Sequence, residues 1–269
     1  MVATLSAVKD YPIKVGSMLF TLVEPHKGHE VEYNRWYERD HFYAGCMIGE
    51  WQFAGRRFVA TRDLKALRYP EDSPITPARD IGSYVAIYWV LAGHHDEWNK
   101  WAVKQVRQLH ADGRMFAERD HIHTLLYNYD WEYGERDGVG SALALDHPYA
   151  GVVAVIGEAD ESVGRDGVGE WFRSEVLPDM IANTPVDQCI AWTPQPLLVD
   201  APGDVPRTPE STTRFLQLYF LTEPPDASWD KTFANLGERM RDAGKGEIIW
   251  ASPFKPTIVG TDTYTDQLW

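Results

Sequence analysis

The sequence predicts an α+β fold built from two tandem copies of one βαββαβ unit. Three observations carry the prediction: a weak internal repeat, the order of strand-like and helix-like segments, and two runs that are apolar on both faces. Repeats organise a chain more strongly than any local signal. At an offset of 135, VGSMLFTLVEP (15–25) lies over AGVVAVIGEAD (150–160) and RWYERDHF (35–42) over EWFRSEVL (170–177), pairing Gly16 with Gly151 and Trp36 with Trp171. At 131, YWVLAGHHDEWNK (88–100) lies over YFLTEPPDASWDK (219–231), and at 133 HIHTLLYNY (121–129) lies over FKPTIVGTD (254–262). The order of these segments is the same in both copies.

Each element follows from its local pattern. Residues 16–23 form an apolar, β-prone run, and EVEYNRWYERDHF (30–42), without Gly or Pro, is helical. WQFAGRRFVA (51–60) and IGSYVAIYWVL (81–91) are strands two and three. DEWNKWAVKQVRQLHAD (96–112) carries Trp98, Trp101, Val103, Val106 and Leu109 at helical spacing and stops at Gly113. HIHTLLYNY closes the unit as strand four. This order is the split βαβ, or ferredoxin-like, arrangement, in which strands one and three are central neighbours. Those are the runs apolar on both faces, so a second sheet from the sister repeat is expected to cover them. The expected division is residues 1–130 as the first repeat, 131–148 as a linker and 149–269 as the second repeat. Two proline-bearing stretches, 61–80 and 200–213, interrupt the pattern as long loops of the kind that form lids or binding loops.

Composition limits the function. The 269 residues carry a net charge of −14, which argues against a nucleic-acid footprint. The charge is uneven: the first 140 residues hold 17 basic and 20 acidic side chains and eight of the nine His, the remainder 9 basic and 20 acidic. Groups that titrate near neutrality or hold an anion are therefore concentrated in the first half. Aromatics make up 13% of the chain, with eleven Trp, a load that suits a pocket for a flat apolar ligand. Cys46 and Cys189 give no disulfide framework, and neither a signal peptide nor a membrane span is evident, so a cytoplasmic protein is expected.

Two such units packed sheet to sheet resemble the dimeric α+β barrel superfamily, here with both halves on one chain. The helix NRWYERDHF followed by FAGRRFVA resembles the EthD-like group, in which an aromatic residue precedes a His at the end of the first helix. The motif spans about Trp36 to Phe58. The superfamily includes cofactor-free monooxygenases, cyclases, lyases and isomerases, and also haem proteins such as chlorite dismutases and dye-decolourising peroxidases. Further dimerisation into a homodimer is a habit of the superfamily.

Mismatches between the repeats direct attention to the first. His41 is matched by Val176 and Arg56 by Ala191. His41 is the candidate general base; Glu38 and Tyr37, three and four residues earlier, would share its helix face, with Glu38 orienting the imidazole. Arg56 and Arg57 point to opposite faces of strand two, and one of them, taken as Arg56, is expected to hold an oxyanion. His121, His123, Tyr127 and Tyr129 are expected on one face of strand four, with His123 and Tyr127 assisting proton transfer. Tyr43, Trp51, Phe53, Tyr88 and Trp89, together with Tyr37, are candidate substrate walls. No diagnostic metal spacing, dinucleotide fingerprint or nucleophile motif is present. The expected activity is a cofactor-independent enzyme working through an enolate or phenolate of a small aromatic or polyketide-like substrate, as lyase, cyclase, isomerase or oxygenase. A haem enzyme is the alternative, and a non-enzymatic aromatic-ligand binder the second alternative.

Overall fold

The computed structural model describes residues 11–134, 138–197, 203 and 205–269. Residues 1–10 (MVATLSAVKD), 135–137 of the linker, and 198–202 and 204, which include part of the 200–213 loop, lie outside the described residues.

Eight antiparallel strands close into one barrel. They are β1 (Val15–Pro25), β2 (Gln52–Val59), β3 (Tyr84–Leu91), β4 (Arg119–Gly134), β5 (Gly151–Ala159), β6 (Val186–Gln195), β7 (Arg214–Leu221) and β8 (Gly246–Pro256), in the spatial order β1-β3-β2-β8-β5-β7-β6-β4. Each half keeps the expected order, with its first and third strands central. The halves join at their edges to close the barrel, so the inner faces of their sheets cover one another across a shared core, as expected.

Strand periodicity explains why the central strands are apolar on both faces. Phe20 and Leu22 of β1 point into the barrel, whereas Val23 faces a helix layer. Eight strands leave an interior that side chains can fill. Here Trp89, Trp192, Trp250 and Tyr127 fill it, all fully buried.

The two seams between halves are unequal. β4 pairs with β6 from Leu126↔Gln195 to Gly134↔Gln188. β2 pairs with β8 only at Phe58↔Pro256 and Val59↔Lys255, and Pro256 has no N–H to offer a ladder. The stretch 61–83 bridges the weak seam, so it is no free lid. It contains α2 (Arg62–Lys65), Tyr69 bridges to Ala251, and Ser73 Oγ donates to the Ile249 carbonyl at 2.7 Å. Arg68 is buried, with its guanidinium donating to Ser252 Oγ at 2.7 Å and to the carbonyls of Arg79, Ile81 and Gly82 at 3.1, 2.6 and 2.5 Å. Glu24 accepts from the Gly82 and Ser83 amides at 2.6 Å each, and Lys65 Nζ donates to Ser83 Oγ at 2.9 Å.

The helices pack on the outer faces. In the first repeat α1 (Glu30–Trp36) runs on as a π-helical segment, Tyr37–Met47, and α3 (His95–Ala111) lies beside it. In the second, α4 (Gly164–Trp171) runs into a π-helical segment, Phe172–Val176, followed by α5 (Leu177–Asn183). α6 (Pro225–Thr232) and α7 (Leu236–Asp242) complete that layer. The π segments begin at Tyr37 and Phe172, the positions paired by the sequence repeat. The first- and fourth-strand alignments need correcting: Met18 lies opposite Trp89 and Tyr127, and Val152 opposite Phe220 and Phe254, so Met18 matches Val152 at an offset of 134 and Tyr127 matches Phe254 at 127. Residues 257–262, taken above as strand, lie beyond β8.

Two connecting segments do more than tether. Ala142, Ala144, Leu145 and Tyr149 of the inter-repeat stretch insert into the barrel core, and Trp89 Nε1 donates to the Ser141 carbonyl at 3.0 Å. The C-terminal tail returns to the first repeat: Asn34 donates to the Thr261 carbonyl at 2.9 Å, Arg35 pairs with Asp262, and Leu268 is buried beneath α1.

Replacing Arg68 by Met would leave two buried acceptors, Ser252 Oγ and the Gly82 carbonyl, and two partly buried ones, the Arg79 and Ile81 carbonyls, without their donor. The expected cost is about 3–5 kcal/mol of unfolding free energy, measured by urea titration; a loss under about 1 kcal/mol would show that the seam does not depend on it.

Candidate active site

The first repeat holds a cavity of about 120 Å³ between the outer face of β1 and β4 and the helices above. Its walls are mainly aliphatic and aromatic, with Leu19, Leu126, Val103, Val106 and Trp98 among them. Its polar groups come from two sides. The helix side supplies His41, Tyr37, Cys46 and Asn99, and the strands supply Thr21, Gln52, Thr124, His121 and Arg119. The corresponding space in the second repeat is filled by Trp171, Phe172, Val176, Tyr219, Trp229 and Phe233.

The π-helical turn decides how His41 is presented. Its ring stacks on Trp36 with centroids 4.6 Å apart and meets the edge of Tyr37 at 5.2 Å. Gly45 makes room for it, since a Cβ there would lie 2.7 Å from both Cε1 and Nδ1 of the imidazole. His41 Nδ1 is enclosed and has no hydrogen-bond partner. Nε2 is therefore the nitrogen through which the ring can reach a bound molecule. Burial, with the charges of Arg119 and His121 beside it, lowers the His41 pKa to about 3, so the imidazole is neutral at physiological pH.

Glu38 does not orient His41, contrary to the α-helical expectation. A π turn takes more residues than an α turn, so a three-residue spacing no longer aligns side chains. Glu38 instead accepts from the Gly260 amide at 2.9 Å and pairs with Arg57 at 3.5 Å. Arg57, not Arg56, lies on the helix side of β2: it is buried, donates to Asn34 Oδ1 at 3.0 Å and sits 4.4 Å from the Tyr37 ring. Arg56 turns towards the inter-repeat segment, donating to the carbonyls of Leu145 and His147.

The expected row on β4 is broken by a bulge. His123 pairs with Leu22 but His121 with Val23, so the extra residue Ile122 puts the two imidazoles on opposite faces. His121 Nδ1 lies 2.8 Å from Thr124 Oγ1, which is 2.8 Å from Thr21 Oγ1, all at the cavity. His123 and Tyr127 are inside the barrel, 2.9 Å apart from Nε2 to hydroxyl. His41, His121 and His123 thus do not converge. Arg119, which the sequence reading passed over, lies at the cavity with its guanidinium 5.6 Å from the Trp36 ring. Its signal was the two-residue spacing Arg119-x-His121 at the start of strand four.

The wall candidates divide. Tyr37 lines the cavity, and its hydroxyl lies 2.8 Å from that of Tyr88, which sits behind it and bonds Cys46. Burial pushes the Tyr37 hydroxyl well up and the Cys46 thiol up to about 12, so both are neutral. Trp89 and Phe53 belong to the barrel interior. Tyr43 is 52% exposed, and Trp51, 38% exposed with a φ of +71°, stacks on His94 at 3.6 Å.

No family model matches this sequence, and neither does any curated protein sequence. Solved structures do. The chain is similar to an anthrone oxidase-like protein at 8% identity and a TM-score of 0.52, covering 93% of this chain and 98% of that one. A proposed monooxygenase from Fusobacterium nucleatum matches at 8% identity and 0.52, over 91% and 93% of the two chains. A haem-bound variant of DypB from Rhodococcus jostii RHA1 matches at 11% and 0.51, over 99% and 97%. At these identities the likeness establishes the fold. The chain has the dimeric α+β barrel fold, with both ferredoxin-like units in one polypeptide.

The expectation that no cofactor is involved is corrected by these neighbours, since variants of DypB that share this fold at 10–11% identity are in complex with haem. The donor set at the cavity is of the right kind, since His41 and His121 offer imidazoles and Arg119 a cation for a carboxylate.

Two outcomes test the site's electrostatics. Gly45→Ala should displace the His41 ring, seen as a changed His41 imidazole resonance in a fold that keeps its circular dichroism; an unshifted resonance would show the ring is not held there. His123 is 4% exposed and burial lowers its pKa to about 4, so the unfolded chain binds the proton more tightly. Stability should fall by about 3 kcal/mol as pH drops from 7.5 through 6.5 to 4. A His123→Met variant should lose that part of the slope in urea titrations across the range.

Proposed function

We propose that this chain is an enzyme that removes a proton from a small aromatic or polyketide-like substrate held in the His41 cavity, passing through an enolate or phenolate. The observation that supports it is a neutral imidazole in a mainly apolar cavity that also holds Arg119 and His121, with no Asp or Glu among the described residues that line it.

His41, in the tautomer with its proton on Nδ1, presents the Nε2 lone pair to an acidic C–H or O–H. The imidazole is a weak base while the cavity is empty, because burial and Arg119 both oppose a second positive charge. Proton transfer from a bound substrate changes that balance, since the substrate becomes an anion as the imidazole becomes a cation. The two charges then form a pair in a low-dielectric site, where their attraction is strong. Arg119, His121 and the Thr21–Thr124 hydroxyl pair supply donors for the substrate anion. Tyr37 and Trp36 fix the imidazole from one edge and one face. Lyase, cyclase, isomerase and oxygenase outcomes all begin from such an anion. The likeness to an anthrone oxidase-like protein and to a proposed monooxygenase favours the oxygenase outcome within the EthD-like group. A homodimer is the assembly this reading adopts.

Replacing His41 by Ala should keep the fold and lower turnover by about 10²–10⁴-fold, the usual contribution of a positioned general base. Full activity in that variant on a panel of phenols and cyclic diketones would sink the assignment.

A second reading is favoured by the haem-bound neighbours together with the His41 and His121 imidazoles. His41 would hold the iron and Arg119 a propionate, and haem bound there would supply redox chemistry. At about 120 Å³ the cavity is far smaller than haem, so haem would require it to widen. Titration with haemin, read in the Soret region, separates the readings. A stoichiometric band that His41→Ala abolishes assigns the cavity to haem, and turnover of phenols without such a band retains the first reading.

A further inference from the structure

Resting on the reading of the His41 cavity as the substrate site, we propose that its size limit is set from the other half of the chain, by Leu197 and Val205 in the connection between β6 and β7.

The connection between second and third strands crosses over in both halves. In the first half it is the 61–83 stretch, which reaches the second cleft. Tyr69 lies ten residues past the end of β2. Its ring meets Trp229 at a steep angle with centroids 6.0 Å apart, and its hydroxyl donates to the Phe233 carbonyl at 2.7 Å. In the second half the crossing runs the other way. Leu197 packs against the cluster of Val90, Trp98 and Leu126 in the first half. Val205, ten residues past the end of β6, is buried and lines the His41 cavity together with Leu197. Trp98 and Trp229 are paired by the sequence repeat, so each connection covers the same place on the sister half.

The covers differ in bulk, and the clefts differ with them. A phenol ring anchored through its hydroxyl covers the second cleft, which Trp229 and Phe233 help to fill. Two aliphatic side chains cover the first, which keeps about 120 Å³ open.

That volume gives the cover its consequence. An apolar cavity of about 150 Å³ takes benzene or xenon. At about 120 Å³ this one stops short of a six-membered ring, so a ring enters only where part of the wall gives way. Leu19 and Leu126 stand on paired strands, and Val103 and Val106 on the 17-residue helix α3. Leu197 and Val205 belong to no strand or helix, and connecting segments yield more readily than the elements they join. Their bulk therefore decides how large a ring is admitted. In an apolar pocket a single methylene is worth roughly 10–200-fold in discrimination, so two side chains suffice to set specificity.

Xenon and benzene test this on the full chain, read through the methyl resonances of Leu126 and Val103, which report on the cavity itself. The wild-type protein should bind xenon; absence of any shift would remove the cavity on which the proposal rests. Val205→Ala and Leu197→Ala should each bind benzene at least tenfold more tightly than the wild type, and Val205→Phe should weaken xenon binding at least tenfold. Truncation and filling act in opposite directions, so a folding defect, which weakens both, does not imitate the result. Calorimetry with phenol, 4-ethylphenol and 4-butylphenol then reads specificity: both truncations should move the tightest binding to a larger member of the series. Benzene affinity unchanged in both truncations, xenon affinity unchanged in Val205→Phe, or a wild-type order of phenols in both truncations overturns the proposal. All of these are binding measurements, so the general base fails separately. Full activity in His41→Ala sinks that reading and leaves the size limit standing, whereas unchanged affinities beside an inactive His41→Ala do the reverse.

Discussion

Closing the barrel is the constraint on which the other features depend. A ring of eight strands has two joints between its halves, and only one of them is held by a continuous ladder. At the other, the β2–β8 pairing is two residues long, and Arg68 of the first half reaches Ser252 of the second while its other donors go to the carbonyls of Arg79, Ile81 and Gly82 on its own side. A buried guanidinium in such a setting is costly to disrupt, because Ser252 Oγ and the Gly82 carbonyl have been taken out of water with it. The closed ring presses the helix layer of each half outwards, and every candidate for chemistry sits in the layer outside the barrel or sealed within it.

The layer outside the first half differs from its sister by a few side chains. Val176 replaces His41, and large rings fill the second cleft where the first keeps an open volume. One half thus contributes a filled, rigid wall and the other a cavity. The tail from residue 257 onwards links them again, since Asp262, the Thr261 carbonyl and the Gly260 amide hold Arg35, Asn34 and Glu38 on the helix that carries His41. The second half therefore takes part in positioning the site without lining it with its own strands.

Much of this was legible in the sequence, and the misses have local causes. Runs apolar on both faces identified the central strands, and repeat pairings such as Trp36 with Trp171 placed both first helices correctly. The mismatch of His41 with Val176 pointed to the half that holds the cavity. Side-chain directions were read less well, because both errors came from single-residue irregularities. The π turn after Trp36 took Glu38 away from His41 and gave it to Arg57, and the bulge at Ile122 separated His121 from His123. Neither irregularity has a signature in residue type, so strict periods of 3.6 and 2 carried the reading past them. Arg119 was missed because strand four was read as beginning at His121, whereas β4 begins at Arg119. The cofactor question was beyond local pattern altogether, and the haem-bound neighbours correct it.

The onset of the π segment at Tyr37 and again at Phe172 has a historical consequence. An extra residue in a helix strains the ladder of hydrogen bonds and is retained where it serves a purpose. Finding it at the same place in both copies is most simply explained by one insertion inherited twice, so the ancestral unit already carried the widened turn before the gene doubled. Such a unit would have needed a second copy to close the ring, and in the fused chain the two clefts have come to differ: the first keeps an open volume, and the second is filled by Trp171, Phe172, Trp229 and Phe233.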